Sequence, residues 1–239
     1  MAEPLASPWG TVRDREQQRA LKREAVLRTA AQLFNEKGYA ASTLDEVAER
    51  LGVSKPTVYY YADSKDAILL ECVRIGLEML RTAIRAVDAQ GGRAIDKLVA
   101  AMRQYAEIAT LDFGMCVIRV GEESLPPESR RKVRHMKAGL DREFRELIRL
   151  GIEEGSIAPC DPKLAAFTLA GALSWIARWY RPDGPLTPEA IADQCIHVLL
   201  LGLCSDSART EVRAQREARA AAEPPPLARK RASRPRRRG

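Results

Sequence analysis

The chain has 239 residues, of which 46% are apolar and 30% charged. This length suits one large domain or two small ones with a buried core, and the composition excludes collagen-like, mucin-like and wholly disordered proteins. The net charge of +7 comes from the basic residues 206–239, so residues 1–205 are net neutral.

Cysteine, histidine and charge patterns limit the function classes further. The five cysteines include no Cys-x-x-Cys pair and there are two histidines, so we expect no disulfide framework, no metal site and no cofactor. The N-terminus has no apolar signal-peptide core, and the longest uncharged run of the C-terminal half, 164–177, is shorter than the ~20 residues that span a bilayer. We therefore expect a soluble, cytoplasmic protein with no membrane partner.

The first elements follow from local signals. Residues 1–14 contain two prolines and little apolar periodicity, which predicts a flexible arm. Apolar residues at helical spacing predict a helix from Arg15 to Lys37, closed by a glycine. Thr43 and Glu46 have the spacing of a capping box and predict a short helix from Leu44 to Leu51.

The next helix is brief and follows a Gly52-Val53 turn. Ser54 is its predicted cap and Pro56 lies in its first turn, where a missing N–H costs nothing, so we expect a helix from Lys55 to Tyr61. Ser64 can cap a longer helix after it. The later helices are predicted from Lys65 to about Gln90, from Arg93 to Ala109, from Pro126-Pro127 onward, from Lys163 to Tyr180, and from Thr187 to about Cys204.

A turn at Asp112-Phe113-Gly114 is expected before a short apolar stretch from Met115 to Val120. No segment alternates apolar and polar residues as a strand does, and there is no internal repeat. The predicted fold class is all-α. From residue 206 the composition changes, and 206–239 is predicted to be a basic, largely disordered tail.

The two short helices around Gly52 have the proportions of a helix-turn-helix, whose second helix lies in the major groove of DNA. That helix offers Lys55, Thr57 and three consecutive tyrosines. Neighbouring residues on a helix point about 100° apart, so we expect Val58 and one tyrosine in the core and at least one tyrosine exposed. Lys65 is placed for a DNA phosphate. The alternative is a plain helical hairpin.

Residues 19–69 resemble the DNA-binding domain of the tetracycline-repressor (TetR) family of bacterial regulators. Three motifs carry the resemblance: Ala30-Ala31-x-Leu33-Phe34-x-x-x-Gly38-Tyr39; Ser42-Thr43-Leu44-x-x-Val47-Ala48; and Leu51-Gly52-Val53-Ser54-Lys55-Pro56-Thr57-Val58-Tyr59-Tyr60-Tyr61 with Ser64-Lys65-Asp66. Ala62 departs from the family's usual phenylalanine. Asp45 is acidic where some relatives contact DNA, so the predicted contact set omits it.

The resemblance implies an N-terminal three-helix DNA-binding domain, 15–66, and a helical domain for effector binding and dimerisation, 67–205. It implies a homodimer that presents two recognition helices to a palindromic operator in double-stranded DNA, and a small-molecule effector. Pro56 would offer an apolar surface, for example to a thymine methyl group. Carried over by position, the expected DNA-contacting residues are Thr43, Lys55, Pro56, Thr57, Tyr59, Tyr61 and Lys65.

The helices 163–180 and 187–204 are the most apolar. They either pair with their copies across a twofold axis in a homodimer or form an ordinary intrachain core. Tyr105, Phe113, Met115, Cys116, Trp175 and Trp179 are candidates for lining an effector cavity, with core packing as the alternative. The segment 179–186 resembles TetR-family members that regulate lipid, steroid or acyl-CoA metabolism. This resemblance implies an apolar or acyl-CoA-like effector, whose phosphates Arg178 and Arg181 could bind.

The expected mechanism is a population shift, in which the effector favours a DNA-incompetent spacing of the recognition helices and releases a repressor. The helix from Lys65 is the expected lever. Phosphate-loop, dinucleotide, nucleophile-elbow and zinc-protease motifs are absent from the sequence, so we expect no enzyme and no catalytic residue. An α-helical protein-interaction adaptor is the alternative function. The Arg-rich stretch Arg229 to Arg238 either clamps DNA or is a solvated end.

Overall fold

A computed structural model describes residues 15–89 and 91–201 of the chain. Over these residues it contains helices and no strands, which confirms the all-α fold class. The helices are α1 (Arg15–Lys37), α2 (Leu44–Leu51), α3 (Lys55–Tyr61), α4 (Lys65–Ala89), α5 (Ala94–Ile108), α6 (Asp112–Arg119), α7 (Pro127–Glu153), α8 (Pro162–Trp179) and α9 (Pro188–Leu201). The predicted arm, the tail with its suggested DNA clamp, and Cys204 lie outside the described residues.

The first three helices begin and end at the predicted residues. The predicted capping box is present: the Glu46 N–H donates to Thr43 Oγ1 at 3.2 Å, and the Thr43 N–H donates to Glu46 Oε2 at 3.0 Å. Gly52 ends α2 with a left-handed backbone (φ 65°), which glycine adopts without strain. Ser54 lies at the predicted N-cap position of α3, but its hydroxyl pairs with Thr57 Oγ1 at 2.8 Å and not with a backbone N–H.

Helices α1 to α4 share one apolar core around α3. α1 packs against α2, α3 and α4, and Val58, the single fully buried residue that α3 contributes among its described positions, lies in this core with Phe34 and Val47. Tyr61 is partly buried, while Tyr59 and Tyr60 are exposed, as the helical geometry predicts. Burying one such apolar side chain contributes about 1.5–3 kcal/mol. This core fixes which face of α3 points outward.

Helix α4 is the centre of the body, since it packs against α1, α5, α6 and α7. α7 packs against α5 and α8, and α6 lies between α1, α4 and α8. The described residues up to Leu200 form one compact unit, and α4 contributes apolar side chains to a core that is continuous across the predicted domain boundary at residue 66. Among the helices described, none combines the length and apolar character needed to cross a membrane.

The predicted turn at Asp112-Phe113-Gly114 is wrong: these residues form the first turn of α6. A Cβ atom at Gly114 would lie 1.8 Å from the carbonyl oxygen of Ile108, and one at Gly76 would lie 2.8 Å from the carbonyl oxygen of Phe113. The two glycines therefore allow the backbone of α6 to pack directly against α4 and the end of α5. Glycine inside a helix is costly, which is why the sequence pattern indicates a turn here.

Candidate functional site

Most of the predicted DNA-contact residues lie on α3. Lys55, Pro56 and Tyr59 are exposed, and half of the Tyr59 surface is accessible, whereas Thr57 and Tyr61 are partly covered. The helix is fixed through its buried face, so these side chains form a rigidly held outward surface. We call Lys55, Pro56 and Tyr59 the α3 surface.

An ion pair holds the first residue of α3. Lys55 Nζ lies 2.5 Å from Asp45 Oδ2 on α2, and both side chains are exposed. The Asp45 carboxylate accepts the hydrogen bond and raises the pKa of the Lys55 ammonium. Sequence reasoning misses this pairing, because a ten-residue separation across a turn follows no helical spacing. The charge on the α3 surface is therefore partly compensated before any partner binds.

Lys65, the predicted phosphate contact, binds the backbone of its own chain. Its ammonium donates to the carbonyl oxygens of Tyr39 at 2.7 Å and Ser42 at 3.0 Å, and lies 4.3 Å from the Tyr39 ring centroid. The Tyr39 hydroxyl donates to Asp66, and burial, followed by this carboxylate, raises the pKa of Tyr39. The start of α4 thus holds the loop between α1 and α2. A phosphate contact from Lys65 stays a prediction.

Thr43 and Tyr60 both have partners within the chain. Thr43 is exposed and its hydroxyl caps α2, so a DNA contact from Thr43 would share that oxygen. The Arg19 guanidinium lies over the Tyr60 ring, 5.5 Å from the ring centroid. Tyr60 also packs edge-on against Tyr61. Tyr60 is therefore tied to α1, and it provides an exposed tyrosine outside the predicted contact set.

A cavity of about 390 Å³ lies between α4, α5, α6, α7 and α8. This volume is in the range of small-molecule sites. Its apolar lining residues are Leu77, Leu80, Val117, Ile118, Leu140, Phe144, Ala166, Phe167 and Ala170. On α4, α5, α6 and α8, the polar side chains that line the cavity are those of Tyr105 and Ser174. Their hydroxyl oxygens lie 2.7 Å apart.

The charged lining residues come from the loop after α6 and from α7: Glu122, Glu123, Lys137 and Asp141. Glu122 accepts a hydrogen bond from Arg134 at 2.5 Å and lies 3.8 Å from Lys137 Nζ. Arg134 and, more weakly, Lys137 hold the pKa of Glu122 below its usual value. The cavity thus has one charged side, and its other walls are apolar apart from the two hydroxyls. No group of His, Cys, Asp and Glu in the described part of the chain could hold a metal ion.

Of the six side chains predicted to line a cavity, Tyr105 lines this one. Phe113, Met115 and Cys116 are buried in the core. Trp175 and Trp179 of α8 are 65% and 46% exposed. Sequence reasoning missed the lining residues Leu140 and Phe144, although both fall in a repeat of apolar residues at helical spacing on α7. The repeat identifies a buried face and not the neighbour that the face meets.

The two arginines considered for phosphates are bound elsewhere. Arg178 donates to the carbonyl oxygen of Ile118 at 3.0 Å, and Arg181 pairs with Asp183 at 2.9 Å. Neither lines the cavity. The basic side chains beside the cavity are instead Arg134 and Lys137 of α7, which nothing in a single sequence separates from other solvated arginines and lysines.

Helix α6 connects the cavity wall to α1. Val117 and Ile118 line the cavity, while the flanking Arg119 donates to the carbonyl oxygens of Asn35 on α1 and Tyr180 beyond α8. Arg119 also donates to Ala177. At the other end of α6, Gln32 and Asn35 of α1 donate to the side chain and the carbonyl of Asp112. The helix is therefore bound to α1 at both ends. Burial, together with Arg178, lowers the pKa of Arg119.

Helices α8 and α9 expose an apolar surface, which we call the α8–α9 face. The exposed apolar residues of these helices are Leu164, Phe167, Trp175, Trp179, Val198 and Leu201. Gly171 lies on α8 between them, and a Cβ there would meet open space. His197 is exposed on α9. Exposed apolar side chains in such numbers are typical of interaction sites.

Comparisons with known proteins match both parts of the chain to family models. Residues 26–72 match bacterial regulatory proteins of the tetR family, and residues 91–203 match the tetracyclin repressor-like C-terminal domain. A curated relative is the HTH-type transcriptional repressor KstR2 of Rhodococcus jostii (strain RHA1), 28% identical over 197 residues, which cover 77% of this chain and 92% of the relative.

Solved structures show the same fold. The regulator PfmR from Thermus thermophilus is 31% identical, with a TM-score of 0.69, over 75% of this chain and 99% of that one. AibR in complex with isovaleryl coenzyme A and operator DNA is 25% identical, with a TM-score of 0.66, over 74% of this chain and 97% of that one. These matches extend over both the helix-turn-helix and the helices that surround the cavity.

Proposed function

This chain belongs to the TetR family of bacterial regulators and is a DNA-binding transcriptional regulator, and we propose from its geometry that it is a repressor with an acyl-CoA-like effector. In this proposal a homodimer binds a palindromic operator through the two copies of α3. An effector in the cavity then releases the DNA. The observation that carries the proposal is the exposed, rigidly held α3 surface.

The DNA-binding step follows from the chemistry of α3. Lys55 supplies a positive charge, Tyr59 a flat ring with a hydroxyl, and Pro56 an apolar surface at the start of the helix. In a helix-turn-helix these N-terminal positions of the second helix contact base edges in the major groove. Lys65 and Thr43 flank the helix, where phosphate contacts fix its register.

Dimerisation explains the α8–α9 face. In the single chain, Trp175 has 65% of its surface exposed, which is unfavourable for a large apolar side chain in water. A second copy that packs the same face across a twofold axis would bury Trp175 and Trp179 in a four-helix interface. In the dimer, the two recognition helices must be spaced by roughly 34–36 Å to reach adjacent turns of one face of B-DNA.

The cavity supports the choice of effector. Its apolar walls suit an acyl chain, and a volume of about 390 Å³ leaves a coenzyme nucleotide outside. Arg134 and Lys137, on the charged side, suit phosphates once Glu122 releases them. AibR, which shares the fold over the same helices, was solved with isovaleryl coenzyme A. These points support an acyl group bound inside, with the phosphates at α7.

Coupling between the two sites requires an effector that binds one dimer spacing better than the other. Val117 and Ile118 of α6 and Leu77 and Leu80 of α4 line the cavity. Both helices also pack against α1. A ligand that displaces this wall therefore moves α1, and with it α3. In this proposal, α4, the helix predicted to link the effector site to the DNA-binding helices, transmits the movement together with α6.

The test uses DNA that flanks the protein's own coding region. The wild-type protein should shift one fragment in the presence of excess competitor DNA, and acyl-CoA esters, added as a series of chain lengths, should release it where coenzyme A alone does not. Lys55→Ala and Tyr59→Ala should each weaken the specific complex about 5- to 100-fold, because base-edge contacts contribute about 1–3 kcal/mol.

Tyr60→Ala is the matched control, since it removes an exposed tyrosine from the same helix outside the predicted contact set. Its specific affinity should stay within about twofold of wild type. If Lys55→Ala and Tyr59→Ala bind as tightly as Tyr60→Ala, the DNA-binding surface is not α3. The absence of a specific complex under every ligand condition would favour the adaptor function.

A further inference from the structure

The cavity contains one polar feature that an acyl chain alone does not use. Tyr105 of α5 and Ser174 of α8 both line it, and their hydroxyl oxygens lie 2.7 Å apart. The lining side chains around them on α4, α6 and α8 are apolar. We propose that the effector carries a hydrogen-bond acceptor, such as a carbonyl or ether oxygen, on the part that enters the cavity, and that Tyr105 and Ser174 bind this oxygen. The inference rests on the proposed function in taking the cavity as the effector site.

The two hydroxyl groups carry more donors than the bond between them uses. Two hydroxyl groups carry two O–H donors, and the single bond between them uses one of these donors. Within the described residues, neither hydroxyl forms a second hydrogen bond in the structure. Thr168, one helical turn after Leu164, shows the usual alternative, because its hydroxyl donates to the carbonyl oxygen four residues earlier. Ser174 makes no such bond, so one O–H of the pair stays available to the cavity.

The environment makes this available donor selective. Burial raises the pKa of the Tyr105 phenol, so the group remains a protonated donor at neutral pH. A phenyl ring, that of Phe144, packs edge-on against Tyr105 at 6.1 Å between centroids and limits its movement. A buried donor without an acceptor loses its hydration and gains nothing in return. A ligand oxygen that reaches the pair restores this hydrogen bond, whereas a pure hydrocarbon leaves the donor unsatisfied.

The effector class is therefore an oxygenated acyl compound, and its buried portion is ketone-, ester- or ether-bearing. The charged groups at α7 are a separate set, since Lys137 and Arg134 pair with Glu122 and can bind the anionic end of the same ligand once Glu122 releases them. In this proposal, the hydroxyl pair on α5 and α8 binds one part of the effector, and the cations on α7 bind another part of the same molecule. Recognition by hydroxyls discriminates more strongly against a missing oxygen than apolar walls discriminate against a missing methylene.

The experiment uses two neutral probes of nearly equal shape, cyclohexanone and methylenecyclohexane, which differ by one acceptor oxygen. Their dissociation constants are measured by ligand-observed NMR on the wild-type protein and on Tyr105→Phe/Ser174→Ala. We expect the ratio of ketone affinity to alkene affinity to fall about five- to tenfold in the double variant, because a net hydrogen bond is lost. The alkene affinity should be unchanged or slightly higher.

Both hydroxyls are removed together because either one alone can still donate to the ketone. Replacing both partners of a buried pair is close to neutral for stability, and thermal unfolding of the double variant checks this. Thr168→Val is the matched control: it removes an exposed hydroxyl of α8, and the ratio should stay at the wild-type value.

An unchanged ratio in the double variant overturns the inference, as does the failure of both probes to bind the wild-type protein. A ratio that falls equally in Thr168→Val would also overturn it. Neither probe is a CoA ester, so this result is independent of the operator assay. If acyl-CoA esters do not release the wild-type protein from DNA, the proposed effector class is refuted, but the preference of the cavity for the ketone can still be measured.

Discussion

At the start of α3, a single carboxylate modifies the charge that DNA would meet. Asp45 forms an ion pair with Lys55, and both side chains remain largely in solvent. An exposed pair of this kind contributes little to stability, so its effect lies in the local potential. Residues 1–205 are net neutral, and one uncompensated charge on the α3 surface is therefore a large fraction of what attracts the phosphates.

We predict that Asp45→Asn increases the affinity for all DNA sequences at low salt by a few fold. Removing the acidic partner frees the Lys55 ammonium, so the salt dependence of binding should become steeper by up to about one ion. Binding isotherms at several salt concentrations measure both quantities.

Glu153→Gln is the control for this prediction, because it removes the same charge from an exposed ion pair with Arg149 on α7. That variant should bind DNA like the wild type. Equal salt slopes for Asp45→Asn and Glu153→Gln would contradict the placement of Lys55 next to the phosphates.

At the scale of helices, α6 occupies the position through which the cavity can act on the DNA-binding helices. One side of α6 lines the cavity, and its two ends are hydrogen-bonded to α1 through Asp112 and Arg119. Gly114 and Gly76 have no side chain, so α6 packs against its neighbours at distances that would not admit a Cβ atom at either position. A tightly packed helix of this kind moves as a unit when one wall is displaced.

We predict that Arg119→Met lowers the free energy of unfolding by about 1–3 kcal/mol, since three carbonyl oxygens lose a charged donor. It should also reduce the ratio between operator affinities measured without and with the releasing acyl-CoA ester. Urea unfolding gives the first quantity and operator titrations give the second.

The matched control is Arg181→Met, which removes an exposed guanidinium that pairs with Asp183 in a loop. It should leave both stability and the affinity ratio near wild type. A normal affinity ratio in Arg119→Met, despite lower stability, would mean that the coupling runs through α4 alone.

Local signals account for the helices that the sequence predicts correctly. The ends of α2 depend on Thr43, Glu46 and Gly52, which act within a few residues of themselves, and so they can be read without tertiary context. The turn predicted at 112–114 failed for the opposite reason. Gly114 serves a contact with Ile108 that exists only in the folded chain, and its low helix propensity is overridden by packing.

The candidate site likewise has some features that local sequence predicts and others that depend on how the helices pack. The burial of Val58 and the exposure of at least one of the three tyrosines follow from helical geometry. The cavity lining does not, because α8 is apolar nearly all round and its sequence does not tell which side meets α5 and α7. The structure buries Leu169 and Leu173 and leaves Trp175 and Trp179 outside. The ion pair of Lys55 with Asp45 depends likewise on how two helices meet.

For the whole molecule, we propose that the α8–α9 face joins two copies and so allows two recognition helices to act on one operator. Each copy alone would bind half an operator with the affinity of one helix. Joining two copies makes the second contact intramolecular, so the operator affinity rises without a new contact to the bases. The exposed tryptophans of α8 are the side chains with most apolar surface to bury in this step.

We predict that Trp175→Glu converts the dimer to a monomer in sedimentation experiments and lowers operator affinity at least tenfold. A buried carboxylate at a symmetric interface lies near its own copy, so desolvation and like-charge repulsion both oppose association. The helical circular dichroism should persist, because Trp175 is mostly exposed in the single chain and contributes little to its core. Leu150→Glu, on an exposed position of α7, introduces the same charge away from this face and should remain dimeric. A dimeric Trp175→Glu with wild-type operator affinity would place the interface elsewhere, and the spacing of the two α3 helices would then have to be set by another surface of the molecule.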